Sequence, residues 1–111
     1  MDRLYIVVRR DLPAGAQASQ CCHALRAFAE AHPELDQQWH AAGGNIVLLS
    51  VAGRVDLERL LDRATAAHVS SAVFHEVDFG DELTAAAFPA AARRILSSLP
   101  LALREYSRAA A

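Results

Sequence analysis

Short apolar runs, each about the length of one strand, recur along the chain. Leu4 to Val8 and Asn45 to Val51 are continuous runs, which is typical of strands that a sheet buries on both faces. Val69 to Val77 predicts a third strand, whose successive side chains point to opposite faces. Leu83 to Phe88 is rich in alanine but predicts a fourth strand, because the four-residue turn Asp78 to Asp81 should return the chain antiparallel.

Apolar residues spaced three and four positions apart predict helices between these strands. The first helix should begin at Pro13 or Ala14 and end at His32, because Pro33 disfavours continuation. We expect the tail from Arg104 to Ala111 to fray, since it has few apolar anchors. The other predicted helices are a short one around Leu35 and Trp39, one that begins near Asp56, and a last one that begins at Pro89 and is limited by Pro100.

This order of elements predicts an α/β fold. Right-handed helical crossovers should link the first three strands, and the last strand should be antiparallel in a mixed four-stranded sheet with helices on both faces. We interpret residues 1–111 as a single domain, because this length can bury one core but not two.

Composition narrows the class of protein. The 111 residues carry a net charge of -2 and are 53% hydrophobic, with nothing like a signal peptide or a membrane-spanning run, so we expect a cytoplasmic protein. Cys21 and Cys22 are adjacent, which fits neither a disulfide framework nor a metal site. All eleven basic residues are arginine, and arginine can position or stabilise charge but cannot accept a proton as a base.

Candidate chemistry gathers where the first strand meets the first helix. Arg9, Arg10 and Asp11 lie at the carboxyl end of that strand, and ligands of open α/β sheets bind at such ends. Amides at the start of the helix would attract an anion. The two arginines should project to opposite sides, one toward a ligand and the other into a surface pair with Asp11 or Asp81.

Other polar residues leave alternatives open. Asp78 precedes a glycine, so it fits either a turn residue or a functional carboxylate, and His23 fits either a packed or a catalytic histidine. We expect no metal, since alternation sends His75 and Glu76 to opposite faces of their strand. No organic cofactor is expected either.

The first quarter of the chain also carries a longer motif. The run VVRRDL, then Gly15, and then AxQCxHA from Ala18 to Ala24 resemble the amino-terminal signature of the type 2 peptidyl-tRNA hydrolase family. Where that family has a lysine implicated in catalysis, this chain has Ala16. The run Asp78 to Gly80 resembles the family's Asp-x-Gly, but the following loop is shorter, with Glu82 at one threonine position and Thr84 at the other.

The resemblance implies metal-independent hydrolysis of the ester that joins a peptide to tRNA, with weak activity because the lysine is missing. It implies a catalytic group of Asp78, His23, Arg9 and Thr84, and substrate-binding residues Gly15, Gln20, Asp11, Gly80 and Arg10. The implied partner is the tRNA acceptor end or peptidyl-tRNA. One alternative is a non-catalytic module of the same fold that binds a tRNA end, a nucleotide or a protein, and another is an interaction domain that forms a homodimer.

Overall fold

The computed structural model describes residues 3–104. A predicted feature of the tail, the fraying of residues 104–111, falls almost entirely outside this range. The strands are β1 (Arg3–Arg9), β2 (Asn45–Val51), β3 (Ala72–Glu76) and β4 (Glu82–Pro89), and the α-helices are α1 (Ala14–Ala31), α2 (Pro33–Ala41), α3 (Arg54–Ala66) and α4 (Arg93–Leu96).

The four strands form one mixed sheet in the order β2-β1-β4-β3. β1 is parallel to β2 and antiparallel to β4, and β3 is antiparallel to β4, so β1, β2 and β3 all run in the same direction. The prediction of three strands linked by helical crossovers with an antiparallel last strand is confirmed. This topology brings the carboxyl ends of β1, β2 and β3 and the first residues of β4 to one edge of the sheet.

The side chains of β1 divide the core into two parts. Leu4, Ile6 and Val8 pack with buried residues of α1 and α2, whereas Tyr5 and Val7 pack with buried residues of α3 and α4. Helices therefore cover both faces, as the sequence predicted. None of the helices within residues 3–104 combines the length and the hydropathy needed to cross a bilayer.

The predicted last helix is wrong in both its start and its length. Pro89 is the last residue of β4, where it pairs with Leu4, and a 3₁₀ turn over Ala90–Ala92 leads into the four residues of α4. The chain then pairs with the outer edge of β2, since the backbone N–H of Ser50 donates to the carbonyl of Pro100 and that of Ala102 donates to Leu48. This backbone pairing ends the helix, and the apolar periodicity could not reveal it.

The third strand is shorter than predicted at its amino end. The backbone N–H of Val69 donates to the carbonyl of Ala64, so Val69 is held by the turn that follows α3 and does not begin the strand. His68, with a φ of 57°, turns the chain there.

Candidate functional site

The carboxyl edge of the sheet holds most of the polar side chains that the sequence singled out. Arg9 ends β1, Glu76 ends β3 and Glu82 begins β4, while α1 starts five residues after Arg9. Two groups of hydrogen-bonded side chains lie at this edge, one around Arg9 and one around Gln20.

Arg9 is buried and fully engaged. Its Nε and Nη2 donate to the two carboxylate oxygens of Asp11 at 3.0 and 2.8 Å, and its Nη1 donates to Oε1 of Glu82 and to the carbonyl of Leu83, both at 3.0 Å. The hydrogen bonds from Arg9 lower the pKa of Asp11, and those to Asp11 raise the pKa of Arg9. Arg9 therefore forms the pair with Asp11 that the sequence left open, whereas Arg10 is exposed.

A second group joins α1 to β3 and β4. The hydroxyl of Thr84 donates to Oε1 of Gln20 at 2.6 Å, and Nε2 of Gln20 donates to Oε1 of Glu76 at 3.0 Å. Thr84 and Gln20 are 0% and 1% exposed, so neither can touch a ligand without rearrangement. Their hydrogen bonds instead position the carboxylate of Glu76, which is only partly buried at this edge.

His23 lies one turn beyond Gln20 on α1. Its ring stacks on the ring of Phe74 in β3, with the centroids 4.4 Å apart and the planes 10° from parallel. The residue remains exposed. His23 and Gln20 both contact β3, which places them on the same side of the helix, as the helical spacing indicated.

Asp78 and Gly80 lie in the turn between β3 and β4. Asp78 is in the 3₁₀ helix Val77–Phe79 and is exposed, and within residues 3–104 its carboxylate makes no hydrogen bond or ion pair. Gly80 has a φ of 69°, in the left-handed region that favours glycine. Asp78 therefore offers a solvated carboxylate two residues beyond Glu76, while Gly80 is explained by the turn.

Gly15 and Ala16 are in the first turn of α1 rather than in the turn before it. A methyl group added to Gly15 would meet no atom within 4 Å, so neither packing nor backbone conformation requires glycine there. The helix start at Pro13 has no side-chain cap, which leaves its first amides open to a ligand. This surface can receive an anion or a close-fitting backbone.

Sequence reasoning missed three residues that form hydrogen bonds at or beside this edge. Glu76 was considered only as a metal ligand, Glu82 only as a departure from a motif, and Gln17 not at all as a site residue. The Nε2 of Gln17 donates to the carbonyls of Leu12 at 2.7 Å and Arg10 at 3.4 Å, which fixes the turn after β1. The only signal for it in the sequence was its place three residues before Gln20.

Acidic groups outnumber basic ones at this edge. Asp11, Glu76, Asp78, Asp81 and Glu82 follow or begin strands there, against the buried Arg9 and the exposed Arg10. Arg54 on α3 partly balances this negative charge, because its Nη1 lies 3.8 Å from Oε1 of Glu82. The edge can orient water and accept protons, but it has little spare positive charge for a developing anion.

Three comparisons with known proteins bear on these observations. The model of the family described as Peptidyl-tRNA hydrolase PTH2 matches residues 3–99. The solved structure of a protein of unknown function from Agrobacterium tumefaciens strain C58 is similar to this chain, with a TM-score of 0.64 and 11% identity over 89% of this chain and 96% of that one. At that identity the similarity shows the fold alone. No curated protein matches the chain.

Proposed function

The chain belongs to the peptidyl-tRNA hydrolase PTH2 family, and we propose that it slowly hydrolyses the ester between a peptide and the terminal ribose of tRNA. The observation that carries this proposal is the chain of hydrogen bonds from Thr84 through Gln20 to Glu76. These bonds join the helix that carries His23 and an open first turn to β3 and β4, the two strands on either side of the turn that holds Asp78.

Asp78 is the group best suited to activate water. Its carboxylate is solvated and is not committed to another residue of the described chain. As a general base it takes a proton from the water that attacks the ester carbonyl. It returns that proton to the ribose oxygen as the bond between that oxygen and the carbonyl carbon breaks, which releases the peptide acid and the tRNA. The first amides of α1 face the negative charge that develops on the carbonyl oxygen.

The remaining residues divide into contact and positioning roles. His23, held flat by Phe74, contacts the ribose or the peptide end. Gln20 and Thr84 are positioning residues, because they are buried and act through Glu76. Arg9 is also a positioning residue, since its buried guanidinium binds Asp11 and Glu82.

Loss of Asp78 tests this assignment. We expect Asp78→Asn to lower the rate of metal-free hydrolysis of N-blocked aminoacyl-tRNA by about 10² to 10⁴-fold, the usual contribution of a general base. The matched control is Asp62→Asn, which removes an exposed carboxylate from α3 on the other face of the sheet. Turnover that survives Asp78→Asn undiminished would show that other residues activate the water.

A specific observation favours a second candidate, a non-catalytic module that binds the tRNA end. The family's lysine position is Ala16, and the nearby cation Arg9 is neutralised by two carboxylates. Arg10 is exposed after β1, but it lines a cavity with Ser50 of β2. An edge whose other arginines are paired with carboxylates can bind a hydroxyl-rich ligand, yet it stabilises an oxyanion poorly. Binding of the acceptor end by a protein without turnover would favour this candidate.

A further inference from the structure

A second binding surface lies on the opposite side of α1, between that helix and β2. Gln20 and His23 face β3 and β4, whereas Ala18, Cys21, Cys22 and Leu25 face a cleft whose floor is formed by Ile6, Ile46 and Leu48. We call this the α1–β2 cleft. Asp78, His23, Gln20 and Thr84, which carry the proposed hydrolysis, do not line it, so the inference does not rest on the proposed function.

One end of the cleft is polar and basic. A cavity of about 270 Å³ is lined there by Arg10, Gln17, Ser50 and Arg104, together with Pro100, Leu101 and Leu103. Arg10 is exposed and makes no ion pair among the residues that the structure describes. This end lies where the crossovers from β1 and β2 leave for opposite faces of the sheet, the position at which open α/β sheets bind ligands.

The other end of the cleft is apolar. Its cavity of about 380 Å³ is lined by apolar and thiol side chains of β1, β2 and α1. Ile46, which forms part of the floor, is 43% exposed despite its size. Such an exposed aliphatic surface marks a place where a ligand can be covered from water.

The two cavities adjoin each other. Leu103 lines both cavities, and it holds a φ of 54°, which is costly for a branched side chain. Ile46, Leu48 and Ser50 occupy alternate positions of β2 and so share one face of the sheet. Along this row the surface changes from aliphatic to polar and ends beside Arg10.

We propose that the α1–β2 cleft binds a small amphipathic anion, an acyl chain that ends in a carboxylate. The carboxylate binds Arg10 and Arg104 at the polar end, and the chain lies over Leu48 and Ile46 toward Leu25. Four residue steps of β2 rise about 13 Å, which suits an extended chain of roughly eight to ten carbons. Charge at one end and an aliphatic body at the other match this ligand and exclude a uniformly polar one.

The rate at which a thiol reagent labels Cys22 measures directly whether a ligand occupies the α1–β2 cleft. Cys22 is exposed at the lip of the cleft, whereas burial raises the pKa of Cys21 to about 11, so a thiol reagent at neutral pH labels Cys22 first. Decanoate should slow this labelling saturably in the full-length protein. Octanoate should need about fifteen times the concentration for equal protection, because each buried methylene changes affinity about fourfold.

Two variants distinguish binding of the carboxylate at the basic end of the cleft from an effect of the protein's net charge. We expect Arg10→Gln to raise the decanoate concentration for half-protection about tenfold, since a hydrogen-bonded ion contact is lost. Arg93→Gln makes the same charge change on exposed α4 and should leave protection unchanged.

Three outcomes would overturn the proposal. One is labelling of Cys22 that decanoate does not slow. Another is equal protection by decanol, which would mean that the basic end does not bind the head group. The third is ligand-free protection that increases with protein concentration, which would show that a second copy of this chain covers the cleft.

Discussion

Arg9 and Arg10 are adjacent, yet they perform different tasks because β1 ends between them. Arg9 is the last residue of the strand, so its side chain is held against the sheet and binds Asp11 and Glu82. Arg10 follows the strand and is exposed at the α1–β2 cleft. Strand alternation predicted that they would separate, but only the position of Glu82 across the sheet decides which one becomes buried.

Thr84 tests the positioning group. Thr84→Val keeps the shape of the side chain but removes the donor to buried Oε1 of Gln20, so we expect the free energy of unfolding to fall by about 1–3 kcal/mol. Thr84→Ser keeps the hydroxyl and loses one methyl group, which should cost about 1 kcal/mol and preserve activity. Urea unfolding and the hydrolysis rate measure both effects. A Thr84→Val protein as stable and as active as wild type would contradict the role of the hydroxyl.

Asp11 makes the stability depend on pH. The hydrogen bonds from Arg9 lower the pKa of Asp11 in the folded protein. The carboxylate's contribution to the free energy of unfolding is therefore complete above about pH 4, near the pKa of Asp in the unfolded chain, and is lost as the pH falls through the lower pKa of the folded protein. Asp11→Asn should reduce the free energy of unfolding by about 1 kcal/mol at pH 7, a figure discounted because the side chain is 44% exposed. At pH 3 the difference in the free energy of unfolding between wild type and Asp11→Asn should be smaller.

Urea titrations of wild type and Asp11→Asn at the two pH values make this comparison. Asp62→Asn is a suitable control for the loss of an exposed carboxylate. An equal difference between wild type and Asp11→Asn at pH 7 and pH 3 would show that the ion pair does not contribute.

At the scale of elements, the pattern of apolar residues predicted β1, β2, α1 and α3 well, because each buries a clear face or run. It failed for the last helix, whose end is determined by backbone pairing with β2 and not by any side chain. The candidate site was likewise predicted only where its residues are close together in the sequence. The motif from Arg9 to His23 indicated the edge, but Glu76 joins it only through a contact with a residue 56 positions away.

The alanines of β4 explain why that strand looked weak in sequence and yet lies inside the sheet. Ala85, Ala86 and Ala87 are 0% exposed, with Ala86 packed toward α3 and its neighbours toward α1. Small side chains let helices pack closely on both faces of this inner strand. Low strand propensity is thus offset by tertiary packing.

Overpacking this strand tests that explanation. Ala86→Leu should lower the free energy of unfolding by about 1–3 kcal/mol, because the added carbons have no room between β4 and α3. Ala91→Leu adds the same group at an exposed position and should change stability by less than about 0.5 kcal/mol. Thermal and urea unfolding compare the two. Equal small effects would mean that the core around β4 is loose.

At the scale of the whole molecule, the charge distribution sets the limits of the proposed activity. The net charge is -2, and carboxylates crowd the edge where the ester would bind. This edge therefore gives little electrostatic stabilisation to a phosphate backbone or to a developing oxyanion. In the proposed hydrolysis, therefore, the fold would supply water activation and positioning, and the missing cation at Ala16 would keep the rate low.

The most direct test of this account is the single-turnover rate of N-blocked aminoacyl-tRNA hydrolysis by Ala16→Lys, measured without added metal beside wild type. A lysine in the first turn of α1 restores a cation for the oxyanion, so we expect measurable hydrolysis by wild type and a rate higher by on the order of 10²-fold in the variant. If both proteins are folded and neither releases peptide, the carboxyl edge binds without catalysing and the proposed hydrolysis is contradicted.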